Sequence, residues 1–261
     1  NNDSGAGSLR EAVNNSVNGS IIRFSPILLT SGSNSIVLDS TINITKSITI
    51  IGLYNSNDTL SISGNNQTRI FTARSVQYLI LDSLNLINGH TTTDGGAILF
   101  DKGDTLYVRN SQIRNCHADN FGGGICLSKI GAAALPNIFC SLYHSQLTNN
   151  SANGDGGGIY INTTNAATNT VSKTEIIQSE LTGNTSQMNG GGIYSLSKCG
   201  SQAKALSDIR VIQSNISNNS AVYDGGGINS YPQSYTAPQV GNTESDMKSK
   251  VHIDHSSINH N

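Results

Sequence analysis

Three sets of residues have types and spacings that could do chemistry. Asp94, Asp155 and Asp224 each stand immediately before a Gly-Gly pair, in a column whose other members are Phe121 and Asn189. Stacked carboxylates could gather a cation or, beside a basic residue, serve the acid–base cleavage of polysaccharides. Phe121 and Asn189 interrupt the column, and no carboxylate pair recurs beside Lys or Arg. The carboxylates therefore read as Asx-type turn formers, not as a metal or catalytic site. The six histidines, His90, His117, His144, His252, His255 and His260, lack the spacing of a zinc motif. His144 and His255 share a polar column with Asn110, Gln178 and Gln213, which makes them corner hydrogen-bonders. Of the four cysteines, Cys116 is expected to point inward and Cys126 outward, while Cys140 and Cys199 fall in connectors. No CxxC is present, so buried free thiols and disulfides stay equally open. The glycines open no helix and form no nucleotide loop. No metal, cofactor or catalytic residue is expected.

A different chemistry is suggested by asparagine. Eleven residues head an Asn-x-Ser/Thr sequon: Asn2, Asn14, Asn18, Asn43, Asn57, Asn66, Asn149, Asn162, Asn184, Asn215 and Asn218. Together they fit a secreted, glycosylated surface. Asn149, Asn218, Asn162, Asn215, Asn57 and Asn66 are the candidate glycan acceptors.

These residues are positioned by a step that recurs five times, most cleanly in LYHSQLTNNSANGDGGGI from Leu142 to Ile159. It opens on Leu81, Val108, Leu142, Ile176 or Val211 and closes 17 residues later on Ile98, Ile125, Ile159, Ile193 or Ile228. A second aliphatic follows five after the opener (Leu86, Ile113, Leu147, Leu181, Ile216), and glycine pairs start at Gly95, Gly122, Gly156, Gly190 and Gly225. The connector from closer to next opener varies from 10 to 25 residues. A rigid module on elastic connectors is the mark of stacked coils. If like residues lie over one another at the ordinary strand spacing of about 4.8 Å, the aliphatic columns fill a core. Asn150, Asn184, Asn219 and Asn261 then form a buried amide ladder. Asn184 would be buried and unglycosylated, with Asn149 and Asn218, one position earlier, pointing outward. Glycine lets the backbone turn or approach the neighbouring wall.

Before the modules, SLREAV (Ser8–Val13) reads as a short helix with Ser8 as N-cap and Glu11 three residues later. Between residues 20 and 81, seven short apolar–polar runs read as irregular coils of the same stack, and no three-turn helical period follows Asn15. The connectors 162–175 and 229–250 read as variable exposed material, the latter as the best contact surface.

The motifs GGAI at Gly95 and GGGI at Gly122, Gly156, Gly190 and Gly225, each preceded by a hydrophobic-x-x-Asn element, resemble the repeats of the chlamydial polymorphic outer-membrane protein family. The opening DSGAGSLREA resembles the start of the same class of surface β-helix proteins. Leu147, Leu181, Ile216 and Ile258 stand where that family has Phe. The resemblance implies a right-handed parallel β-helix on a cell surface, often adhesive and without catalysis.

The expected fold is thus all-β: a right-handed parallel β-helix with three short strands per coil and a short N-terminal capping helix. Residues 1–20 form the cap, 21–80 irregular first coils and 81–261 regular coils with variable loops, in one continuous domain. The expected function is a non-catalytic extracellular or cell-surface structural protein, a glycosylated rod or filament-forming subunit. The alternative is an adhesin that binds through its connector loops; a polysaccharide-degrading enzyme is least supported. A net charge of −2 gives no basic footprint for nucleic acid, and no apolar run is long enough to span a bilayer. Ile253, Ile258 and Asn261 begin a sixth module. Either the chain continues beyond it or a second copy completes the coil head to tail.

Overall fold

The structure is a computed structural model that describes residues 3–30, 34–53, 59–130, 137–165, 169–199, 204–234 and 247–261. Among the described residues, the strands form four parallel sheets of eight, eight, five and seven strands. In one representative coil the chain runs through Asn137–Tyr143, Gln146–Thr148, Ser151–Ala152 and Ile159–Asn165, one strand in each sheet. It then rises to Thr170–Ile177, which pairs in parallel with Asn137–Tyr143. This is a parallel β-helix. The three expected strands per coil are present, and a fourth of two residues is added in the middle coils. A two-residue strand carries no periodicity, so its pattern gave no warning.

The columns stack in register. The opener column runs Ile22, Ile50, Leu81, Val108, Leu142, Ile176, Val211 and Ile253. Leu81 through Val211 are fully buried, and Ile253 in the last coil is exposed. The second column starts at Ile36 and Ile62 and continues through Leu86 to Ile258. The described strands between residues 21 and 80 therefore share the register of the regular coils. Each fully buried Leu or Ile contributes about 1.5–3 kcal/mol, and a coil gains this only when neighbours cover it above and below.

The corners explain the polar columns. Asn110, His144, Gln178, Gln213 and His255 have φ between 45° and 49°. A residue in the left-handed region turns the chain out of the strand, so the next N–H loses its backbone partner. That next residue is Ser. Ser145 N–H donates to Ser179 Oγ at 3.0 Å, Ser179 N–H to Ser214 Oγ at 3.0 Å and Ser214 N–H to Ser256 Oγ at 2.9 Å. Each hydroxyl in turn donates to the carbonyl two residues back in its own chain, as Ser179 does to Ile177 at 2.7 Å. The column satisfies an otherwise orphaned buried donor in every coil.

At the third corner the two glycines of each pair do different work. Gly156 has φ +72°, the left-handed turn. A Cβ on Gly157 would lie 2.3 Å from the Thr185 carbonyl oxygen of the next coil.

The cap matches expectation. The helix α1, Leu9–Asn14, has Ser8 as N-cap, its Oγ accepting from Glu11 N–H, and it buries Leu9 and Val13. Arg10 reaches Asp3 at 2.7 Å and the carbonyls of Ser40 and Thr41, tying the cap to the first coil. A second helix, α2 at Ile27–Thr30, is a departure. A single turn after Pro26 is too short to show a helical period.

The larger departure is in the connectors. Residues 162–165 and 170–175 extend two facing sheets beyond the barrel, as parts of Ile159–Asn165 and Thr170–Ile177. Their inner faces are hydroxylic. Ser207 donates to Ser195 at 2.7 Å, Ser195 pairs with Ser172 at 3.0 Å, Ser172 with Ser197 at 3.0 Å and Ser197 with Thr163 at 3.0 Å. All five are fully buried. Ser230 and Ser249 continue the chain at 2.7 Å each. Inward Ser and Thr alternate with outward polar residues, so the hydropathy pattern looked like loop. The 229–250 connector likewise becomes strand at Ile228–Ser234 and Met247–Asp254. Its middle, 235–246, lies outside the described residues.

Candidate functional site

The asparagine column forms an amide ladder whose last member, Asn261, is exposed rather than buried because no further coil among the described residues covers it. Asn150, Asn184 and Asn219 are buried, each following a left-handed residue: Asn149, Gly183 or Asn218. Asn184 Oδ1 accepts from Asn150 N–H at 3.1 Å and from Asn150 Nδ2 at 3.0 Å. Its own Nδ2 donates to the Leu147 carbonyl and to Asn219 Oδ1, both at 2.9 Å. Asn219 repeats this onto Asn261, which donates to the Ile216 carbonyl. At the other end Cys116 takes the place of Asn. Its N–H donates to Asn150 Oδ1 at 3.1 Å, and its sulfur accepts from Gly89 N–H at 3.3 Å.

The sequon residues separate by register. Asn149, Asn218 and Asn66 are exposed, whereas Asn184 is fully buried. Asn162 is half-buried, with Nδ2 donating to the Tyr160 hydroxyl at 3.1 Å and Oδ1 accepting from Thr164 at 2.5 Å. Asn215 is half-buried and donates to Ser217 Oγ at 3.1 Å. Asn57 lies outside the described residues.

Two of the carboxylates before the glycines, Asp94 and Asp155, bond from coil to coil. Asp155 Oδ1 accepts from Asn189 N–H at 2.9 Å and Asn189 Nδ2 at 2.8 Å, and Asn189 Oδ1 accepts from Asp224 N–H at 3.2 Å. Asp94 Oδ1 accepts from Phe121 N–H at 3.3 Å. These are turn residues of an inter-coil kind, and the interruptions at Phe121 and Asn189 fit them, since each presents a backbone N–H. Gly95, Gly122, Gly156, Gly190 and Gly225 all take the left-handed turn.

All four cysteines are buried, and Cys116, Cys126 and Cys140 are free thiols. Cys140 is not in a connector but inside the strand Asn137–Tyr143, facing the core. Cys199 likewise ends the strand Ile193–Cys199. Cys126 does leave the main core, yet it is covered by an outer apolar cluster with Tyr160, Tyr194 and Leu196. Phe121 stacks on Tyr160 with centroids 4.6 Å apart. Burial pushes the Cys116 and Cys140 thiols up to about 12.

Two features go beyond the columns read from the sequence. A polar groove of about 700 Å³ runs along the first corner, with His144, Gln178, Gln213 and His255 on one lip and Gln146, Glu180 and Asn215 on the other. Its floor is the serine column. The second feature is on the two-residue strands. His90 and His117 are register partners, their rings stacked at 5.5 Å and 7°. His117 Nε2 lies 3.1 Å and His90 Nε2 3.8 Å from Asp119 Oδ1. The signal was present: both histidines stand nine residues after an opener, Leu81 and Val108.

No curated protein and no solved structure matches the chain. Residues 145–162 and 178–196 match the Chlamydia polymorphic membrane protein repeat. Each match begins near the serine corner, includes the ladder asparagine and the glycine turn, and ends on the strand opened by Ile159 or Ile193. Two adjacent coils of this chain thus carry sequence similar to the Chlamydia polymorphic membrane protein repeat.

Proposed function

We propose that the chain is a non-catalytic, glycosylated surface rod, a structural element that holds polar faces and sugars away from a cell. The observation that carries this reading is the employment of its polar residues. The serine and asparagine columns, the Asp94 and Asp155 carboxylates and the stacked hydroxyls are engaged in holding one coil to the next. Most of the polar groups in these columns are therefore committed to inter-coil bonds, while the exposed sequons Asn66, Asn149 and Asn218 lie on the outside. The membrane-protein repeat supports a surface or outer-membrane location. Two experiments test the reading together. Labelling of intact cells should reach the protein, and a glycopeptide map should find sugar on Asn149 and Asn218 and none on Asn184. An intracellular pool with bare Asn149 and Asn218 would overturn it. So would polysaccharide cleavage lost in Asp155→Asn or Asp224→Asn. Electron microscopy of native material distinguishes single rods from a filament of repeating subunits.

The axial groove favours a second reading, an adhesin. Amide, imidazole and carboxylate groups repeat along it at the coil spacing, which suits a linear polar ligand such as a glycan chain. Glycan-array binding lost in Gln178→Ala with Gln213→Ala would support it.

A further inference from the structure

We propose that His90, His117 and Asp119 form a surface site for a borderline divalent transition-metal ion, of the class of Zn²⁺, Ni²⁺ and Cu²⁺, clamped between two successive coils. The inference stands apart from the surface role. The ligating atoms of the three side chains all lie within 4.8 Å of one another, and each residue is part-exposed, so an ion can reach them from solvent. Two imidazole nitrogens and one carboxylate oxygen are a ligand set suited to these metals, with the open side left to water.

The geometry is fixed by the stack. His117 N–H donates to the Gly89 carbonyl at 2.8 Å and Asp119 N–H to the Thr91 carbonyl at 3.0 Å. The backbone under all three ligands is therefore held by inter-coil bonds. Parallel ring stacking turns both Nε2 edges toward the same carboxylate, although one proton suffices to bond Oδ1 and the second nitrogen waits at 3.8 Å. His117 Nδ1 is 2.7 Å from Ser151 Oγ, the next residue of the column. Ion binding uses the tautomer in which Nδ1–H donates to that hydroxyl and Nε2, which without the ion lies at hydrogen-bonding distance from Asp119, offers its lone pair to the metal, the arrangement that orients metal-bound histidine. Ser151 is thus a positioning residue. The site is confined to one pair of coils, because Ser151, Thr185 and Ser220 occupy the column above.

The full chain, stripped with a chelator, is titrated calorimetrically with Zn²⁺ and with Ni²⁺. One equivalent is expected to bind and to raise the unfolding midpoint. Binding is lost in His90→Ala with His117→Ala and weakened in Asp119→Asn. Ser151→Ala is expected to bind about tenfold more weakly, as loss of an outer-shell partner does. Removing His252, His255 and His260 together should change nothing. Circular dichroism checks that the variants fold. Should the double variant fail to fold, ring ¹⁵N resonances of the unmutated chain decide: His90 and His117 must shift on Zn²⁺ addition while His144 does not. No binding by the unmutated chain, or one equivalent retained by the folded double variant, overturns the proposal.

Discussion

At the scale of single residues, the most consequential side chain is Asn184. It makes four hydrogen bonds to neighbouring coils, all of them buried. Asn184→Ala leaves buried groups on both neighbouring coils short of a partner, and each such loss costs about 1–3 kcal/mol. A total loss of at least about 3 kcal/mol is therefore expected from urea unfolding. Asn218→Val, at the same corner one coil along, tests the backbone instead. Its φ is +56° and its side chain is exposed, so only left-handed strain is added, about 1–2 kcal/mol. The thiols give a pH signature. Unfolded cysteines ionise near 9.0, whereas native Cys116 and Cys140 hold their protons to about 12 because burial opposes the thiolate. The native state binds more protons across that window. The stability these thiols support is complete below pH 9 and falls as pH rises toward 12. Urea midpoints measured from pH 8 to pH 11 should show a fall that flattens in Cys116→Ala with Cys140→Ala.

At the scale of elements, the glycine corner and the extended sheets make opposite predictions about tolerance. Gly157→Ala drives a Cβ to 2.3 Å from one carbonyl oxygen and 2.6 Å from another, both backbone atoms that cannot rotate away. A loss of about 3 kcal/mol or more is expected, at the upper end of overpacking. Ser195→Ala, by contrast, removes one hydroxyl from a chain whose neighbours keep other partners. Ser172 retains Ser197, and Ser207 retains Ser230. The expected cost is about 1 kcal/mol. A double-mutant cycle with Ser207→Ala should show coupling, since the two hydroxyls bond directly.

At the scale of the whole molecule, stability is a sum of coil and interface terms. Hydrogen exchange should be slowest in the middle coils, around 142–199, and fastest in the coil ending at Asn261, whose residues are largely exposed. The same architecture allows surgery in units of one coil. Leu142 and Ile176 are register partners 34 residues apart. Deleting residues 142–175 places Ile176 where Leu142 stood, with Ser, Asn and Gly columns intact. That shortened chain should fold with an unchanged circular dichroism spectrum. Deleting one residue fewer should not, because a single-residue slip sends inward side chains outward.

The periodic columns were legible because one-dimensional stacking writes itself as one-dimensional repetition. Leu142, Ile176 and Val211 must be alike because they meet the same neighbours, and the ladder asparagines must be alike because each satisfies the next. The helical cap at Ser8 and Glu11 was legible for a local reason: its capping bond spans three residues. Other features depended on distance in space. The strands beyond the barrel are lined by Thr163, Ser172 and Ser195, whose hydroxyls are polar in the chain and become satisfied interior only when two sheets face each other. Cys126 points out of the main core, yet Tyr160 and Tyr194, one and two coils on, cover it. His90 and His117 come together because each stands nine residues after its opener, whereas the connectors between modules differ in length. Residue type and spacing specify which side chains repeat. Which of them end in a dry interior, a groove or a shared site follows from the lengths and directions of segments that do not repeat.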